Sequence, residues 1–341
     1  MKILSLDDLT DTQYRRLIHR GVDDDDATRA MVASICTGVR DGGDEALQRF
    51  TEAFDGVTVS CLRVDAREIA TARASLDLDE LNALRTAADH IAKFHAAQNV
   101  IEAPIETVDG VRCWRERRAI GAVGLYVPAG SAPLPSTVLM LGVPARIAGC
   151  ARIALCSPPD ASGHVNRYVL AAAAVVGIDE VYCVGGAQAI AGLAYGTESI
   201  ERVDKIFGPG NRFVAAAKQF VVGAGVAIDL VAGPSELLVI ADETANAALI
   251  AADLLSQAEH DRDACVVLVT TSRSLAESTV LEIERQFTRL DRAEITRVAI
   301  DNGCVLVVDS LATALRVANE YAPEHLQLNI RDPETAARDV A

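Results

Sequence analysis

From residue 120 onward, short apolar runs alternate with Ala/Leu-rich segments of helical spacing, and no other feature limits the fold as tightly. Runs at 120–127, 152–156, 180–184, 202–207 and 226–231 read as strands. Helices reach Gly149 and cover 164–176, 188–195 and 213–222. After Gly233-Pro234-Ser235-Glu236 the pattern restarts, with strands at 237–241, 265–270 and 305–309 and helices from Asn246, at 275–287 and at 311–320. Strand–helix alternation with short loops implies parallel strands joined by right-handed crossovers. Strands buried on both faces need apolar side chains throughout, which fits 50% hydrophobic residues with only 4% aromatics. At 341 residues the chain exceeds what one core of about 250–300 residues holds, so two α/β sheets of similar build are expected.

Residues 1–119 are more polar and helix-rich. Helices are expected at 27–40, stopping at Asp41-Gly42-Gly43, at 44–54 and at 78–98, followed by a strand at 111–118. Asp23-Asp24-Asp25-Asp26 reads as a solvated N-cap region. His90 and His95 lie five apart and face different ways, so they make no ligand pair. The second sheet is expected to recruit these helices, giving a discontinuous domain of 1–119 plus 236–341 around a domain of 120–235. A net charge of −16 without long Lys/Arg runs argues against nucleic acid and anionic membranes as partners. No leader pattern opens residues 1–10, and no apolar segment is long enough to span a bilayer. The eight cysteines (36, 61, 113, 150, 156, 183, 265 and 304) form no CxxC pair, and most lie in apolar runs. A reduced, cytoplasmic protein is expected.

Three places carry candidate chemistry. In Leu254-Leu255-Ser256-Gln257-Ala258-Glu259-His260-Asp261, Gln257 and His260 share one helix face and can bind a divalent metal; the alternative is that His260 caps the helix C-terminus. Gly185-Gly186 and Gly208-Pro209-Gly210-Asn211 each join a strand to a helix, where glycine admits a phosphate to backbone N–H groups. Neither completes G-x-G-x-x-G, and tight turns are the alternative; Gln188 and Asn211 beside them favour a nucleotide. Tyr126-Val127-Pro128-Ala129-Gly130 ends a strand, where open α/β sheets bind ligands. Glu324 and His325, in Tyr321-Ala322-Pro323-Glu324-His325-Leu326, are competent to move protons; a solvated turn is the alternative.

Together these stretches resemble histidinol dehydrogenase. They are Tyr126-Val127-Pro128, Gly185-Gly186-Ala187-Gln188-Ala189-Ile190-Ala191, Val203-Asp204-Lys205-Ile206-Phe207-Gly208-Pro209-Gly210-Asn211, Ala232-Gly233-Pro234-Ser235-Glu236 and the segments 254–260 and 322–326, in family order. The resemblance implies paired Rossmann-like parallel-sheet domains in an intertwined homodimer. It implies oxidation of L-histidinol to L-histidine through an aldehyde, with two NAD⁺ and one Zn²⁺ per site. It assigns Gln257 and His260 to zinc, Glu324 and His325 to acid/base work, Tyr126, Gln188 and Asn211 to NAD, and Ser235 to substrate. Gln257, His260 and His325 also face the substrate. The family's other two zinc ligands, an Asp and a His, lie in a C-terminal stretch not among these 341 residues. This chain is therefore expected to hold zinc with a Kd of about 10⁻⁴ to 10⁻⁶ M. Turnover is expected at least ~10³-fold below that of an extended version. Two alternatives stay open: a related dehydrogenase acting on another small alcohol, and a catalytically silent NAD-binding homologue.

Overall fold

The computed structural model describes residues 1–18, 26–129, 133–229, 235–290 and 292–341. The chain begins with β1 (Lys2–Ser5), α1 (Asp11–Ile18), α2 (Asp26–Asp55), α3 (Ala66–Ala74), α4 (Leu78–Ala96) and a hairpin of β2 (Ile105–Val108) and β3 (Val111–Cys113). The first alternating series is β4 (Ala122–Tyr126), α5 (Pro135–Ile147), β5 (Arg152–Ser157), α6 (Arg167–Val176), β6 (Glu180–Cys183), α7 (Gly186–Tyr195), β7 (Lys205–Phe207), α8 (Arg212–Val222) and β8 (Ala227–Ile228). The second is β9 (Glu236–Ala241), α9 (Ala247–Ala258), β10 (Cys265–Thr270), α10 (Arg273–Phe287), α11 (Ala293–Asn302), β11 (Cys304–Val307), α12 (Leu311–Tyr321), β12 (His325–Asn329) and α13 (Pro333–Ala336). Asp23, Asp24, Asp25, Gly130, Val231, Ala232, Gly233 and Pro234, all part of the sequence reading, lie outside the described residues.

The chain forms an α/β fold of two units, Met1–Asp25 with Pro234–Ala341, and Asp26–Gly233. This corrects the expected grouping of 1–119 with 236–341. Helices α2 to α4 stay with the sheet that follows them, because their apolar faces are buried there. Val32, Ile35, Cys36, Val39 and Leu47 of α2 share one core with Leu125, Ile190 and Leu193. Gly192 on α7 has no side chain to hold Leu47 off: a Cβ there would lie 3.4 Å from the leucine. Fully burying a leucine contributes roughly 1.5–3 kcal/mol. Only the first strand and helix join the later sheet, where β1 pairs with β11 and α1 meets α12.

In the Asp26–Gly233 unit the parallel strand order is β6-β5-β4-β7-β8, which matches the first five places of the Rossmann order 3-2-1-4-5-6. The order reverses between β4 and β7, where Leu125 pairs with Phe207. Helices α2, α7 and α8 form one layer, and α3 to α6 the other. The break expected at Gly42-Gly43 is a kink within α2 at Gly43 (φ 51°, ψ −137°). The second half of α2 starts there, and Asp44 donates its N–H to Glu198 Oε2 at 2.8 Å.

In the other unit the parallel order is β1-β11-β10-β9-β12, and Leu237 of β9 pairs with His325 of β12. Alternate residues of β9 face opposite layers. Leu237, Val239 and Ala241 pack with α9, α10 and α11, while Leu238 and Ile240 pack with α12. This explains a run from Leu237 to Ala241 without polar positions. Three strands escape the sequence reading: β1, β2, and β12, whose first residue His325 falls in the expected turn. The strand expected at 111–118 is shorter, and is one arm of the hairpin. No helix among the described residues is long and apolar enough to cross a membrane.

Candidate functional site

In the Asp26–Gly233 unit the candidate residues gather at the carboxyl ends of the strands. Tyr126 ends β4, is 4% exposed, and its phenol oxygen accepts the Gly186 N–H at 3.1 Å. Burial pushes this phenol up to about 12; the Gly186 N–H partly offsets the rise and the nearby charge of Asp55 adds to it. Gly186 opens α7 at φ 63°, a conformation that favours glycine, and a Cβ there would come within 2.6 Å of Gln188 Oε1. The buried Gln188 therefore folds back over its own glycine turn. Asn211 caps α8: its side-chain oxygen accepts the N–H groups of Phe213 and Val214, both at 3.1 Å, leaving its NH₂ group as a donor. Gly208 (φ 128°) ends β7 so close to β4 that a Cβ would fall on the Tyr126 main chain. Two glycine-opened helix N-termini beside a strand-order reversal fit a dinucleotide, with a cradle that a Cβ at residue 186 would fill.

In the other unit the candidates lie at the amino ends of the strands, opposite to where open α/β sheets usually take ligands. Ala322 ends α12 at φ 47° and ψ 63°, the one non-glycine residue at positive φ among the described residues. Pro323 follows, and the chain enters β12 at His325. The His325 Nδ1 lies 3.1 Å from the carbonyl oxygen of Glu236. A carbonyl can only accept, so Nδ1 carries the proton and Nε2 of the neutral ring is left basic. Glu324 and Glu236 clasp each other: the Glu236 N–H donates to Glu324 Oε2 at 3.2 Å, and the Glu324 N–H donates to Glu236 Oε2 at 3.3 Å. Glu324 Oε2 is 3.6 Å from His325 Nδ1, and both side chains are about half exposed (47% and 58%).

Ser235 precedes β9, and its carbonyl accepts the Cys265 N–H at 2.9 Å. Helix α9 returns antiparallel to its strands, so its C-terminal turn reaches the same amino edge of the sheet. There Gln257 is half-buried and His260 exposed. The His260 main-chain N–H, rather than its ring, donates to the Gln257 carbonyl at 3.2 Å, which leaves the imidazole out of the helix end. One sheet edge thus gathers Ser235, Gln257, His260, Glu324 and His325. No three His, Cys, Asp or Glu side chains among the described residues come together as a metal site. Gln257 and His260 give two donors where catalytic zinc takes three from protein, so the residues present do not fit a whole zinc centre.

Sequence reasoning passed over Glu236, which holds both Glu324 and His325. Its role follows from the pairing of β9 with β12, which no local pattern reveals. It also passed over Lys218 and Asp229, which hold the main chain of Gly208.

The family model for histidinol dehydrogenase matches residues 18–341. A histidinol dehydrogenase of Colwellia psychrerythraea is 50% identical over 307 residues, 89% of this chain and 71% of that protein. One from Yersinia pestis is 47% identical over 328 residues, 95% of this chain and 73% of that protein. The crystal structure of histidinol dehydrogenase from Elizabethkingia anophelis superposes with a TM-score of 0.93 at 44% identity, covering 100% of this chain and 78% of that one. With fold, motif order and sequence in agreement, the chain belongs to the histidinol dehydrogenase family.

Proposed function

We propose that the protein oxidises L-histidinol to L-histidine through L-histidinal, the last step of histidine biosynthesis, with NAD⁺ as acceptor, as a cytoplasmic homodimer. The observation that carries this reading is the tautomer of His325: its Nδ1 faces the Glu236 carbonyl and, at 3.6 Å, the Glu324 carboxylate, which leaves a basic Nε2 on an edge that also holds Gln257 and His260. Eight unbridged cysteines support a reducing compartment.

NAD⁺, when bound, supplies the electron acceptor for both oxidations. Tyr126, Gln188 and Asn211 hold it: the buried phenol braces the α7 turn, and the Asn211 NH₂ donates beyond the helix cap. In the first oxidation His325 Nε2 takes the hydroxyl proton as the carbinol C–H bond breaks. The Glu236 carbonyl favours the imidazolium that forms, because the Nδ1–H donated to it becomes more acidic. In the second, the Glu324 carboxylate takes a proton from the water that adds to the aldehyde. Ser235 contacts the substrate. Gln257 and His260 are this chain's share of the zinc ligands, and no step here runs through the metal.

Replacing His325 with Asn keeps a donor for the Glu236 carbonyl but removes the base. His325→Asn is expected to lower kcat by ~10²–10⁴ while the calorimetric Kd for NAD⁺ stays within twofold. A kcat within threefold of the parent contradicts the assignment. A second reading, an NAD-binding protein without turnover, draws on Gln257 and His260 being two donors only, with no three-ligand cluster among the described residues.

A further inference from the structure

We propose that Lys218 and Asp229 are positioning residues for the dinucleotide: a buried ion pair that fixes the Gly208 main chain, and with it the turn that carries Asn211. The proposal rests on the NAD reading above and adds two residues outside its assigned contacts.

Gly208 stands at the carboxyl end of β7, against the main chain of Tyr126 where the strand order reverses. Asp229 Oδ2 accepts the Gly208 N–H at 2.8 Å, and Lys218 Nζ donates to the Gly208 carbonyl at 2.9 Å. Lys218 and Asp229 are themselves paired, with their side chains 2% and 23% exposed. The pair therefore holds the peptide groups on both sides of Gly208. Pro209 has no N–H to fix the turn itself, and Gly210 adds little stiffness. The lysine comes from α8, the helix that Asn211 caps, and the aspartate directly follows β8. Helix, turn and neighbouring strand end are thus tied at one point.

Stability alone is a weak reason for this arrangement. Removing an ammonium and a carboxylate from water costs several kcal/mol per ion, and well-packed apolar side chains of similar volume often replace such a pair without loss. Apolar replacements, however, leave the Gly208 peptides unheld. A shift of about 1 Å in that turn is enough to misplace Asn211 relative to a bound ligand.

The test is calorimetric titration of the whole chain with NAD⁺, for the parent, the double variant Lys218→Met/Asp229→Leu, and Leu170→Ala. Leu170 is 2% exposed on α6, so its truncation lowers stability by a cavity without touching the Gly208 turn. The double variant is expected to melt cooperatively and to bind NAD⁺ at least tenfold more weakly, while Leu170→Ala binds within twofold of the parent. Lys218→Arg, which keeps a cation for the carbonyl and carboxylate, is expected to recover part of the loss. A double variant that binds within twofold of the parent overturns the proposal, and so does one that no longer folds, because the pair then serves the fold itself. Equal weakening in Leu170→Ala also overturns it. A parent that binds no NAD⁺ overturns the NAD reading, and this inference with it.

Discussion

Tyr126 and His325 owe their chemistry to different causes, burial in one and a single hydrogen bond in the other. The Tyr126 phenol is pushed from 10 up to about 12, roughly 3 kcal/mol in favour of the neutral form. Burial likewise raises the Cys36 thiol from 9 to about 12. A folded-state value above the unfolded one stabilises the fold fully at pH below the unfolded value, and that stability is lost as pH rises toward the folded value. The window here opens at pH 9–10 and closes near 12. Urea denaturation is expected to show stability at pH 11 at least ~1 kcal/mol below that at pH 8. An unchanged midpoint over that range contradicts the buried, neutral placement of both groups. The identities of Tyr126, Gln188, Asn211, Ser235, Gln257, His260, Glu324 and His325 as candidates were legible from motifs and resemblance. The tautomer of His325 was not, because the carbonyl that sets it belongs to Glu236, 89 positions away.

At the scale of elements, alternation of apolar runs and helical spacing located β4 to β11, since strands buried on both faces leave a continuous apolar signal. It missed β12 because Pro323, Glu324 and His325 dominate the reading of 321–326. The alternation His325-Leu326-Gln327-Leu328-Asn329 that follows is a half-buried strand pattern and offered the correction. The kink in α2 was legible as a break because two glycines interrupt the helical pattern. Its geometry makes a sharp prediction. At Gly43 (φ 51°, ψ −137°) a Cβ would meet Glu198, with Oε1 2.7 Å away. Gly43→Ala is expected to lower unfolding stability by ~2–4 kcal/mol, the backbone strain adding to the clash. A urea midpoint equal to that of the parent contradicts the kink.

For the whole molecule, two sheets were readable from the chain, but the partition of the N-terminal helices was not. An amphipathic helix records that it has a buried face, not which sheet buries it. Proximity in sequence wins here: α2 to α4 pack with the sheet they precede, and only β1 and α1 join the later one. The candidate cofactor residues and the candidate proton-transfer residues consequently fall in different units, one set at carboxyl and the other at amino strand ends. The proposed reaction needs both sets, so turnover tests it more directly than binding to either. The decisive measurement is NADH formed per L-histidinol consumed, with zinc added, product identified by chromatography and NAD⁺ binding confirmed by calorimetry on the same preparation. The account predicts two NADH per L-histidinol and L-histidine as product. A preparation that binds NAD⁺ yet forms no NADH from L-histidinol contradicts it.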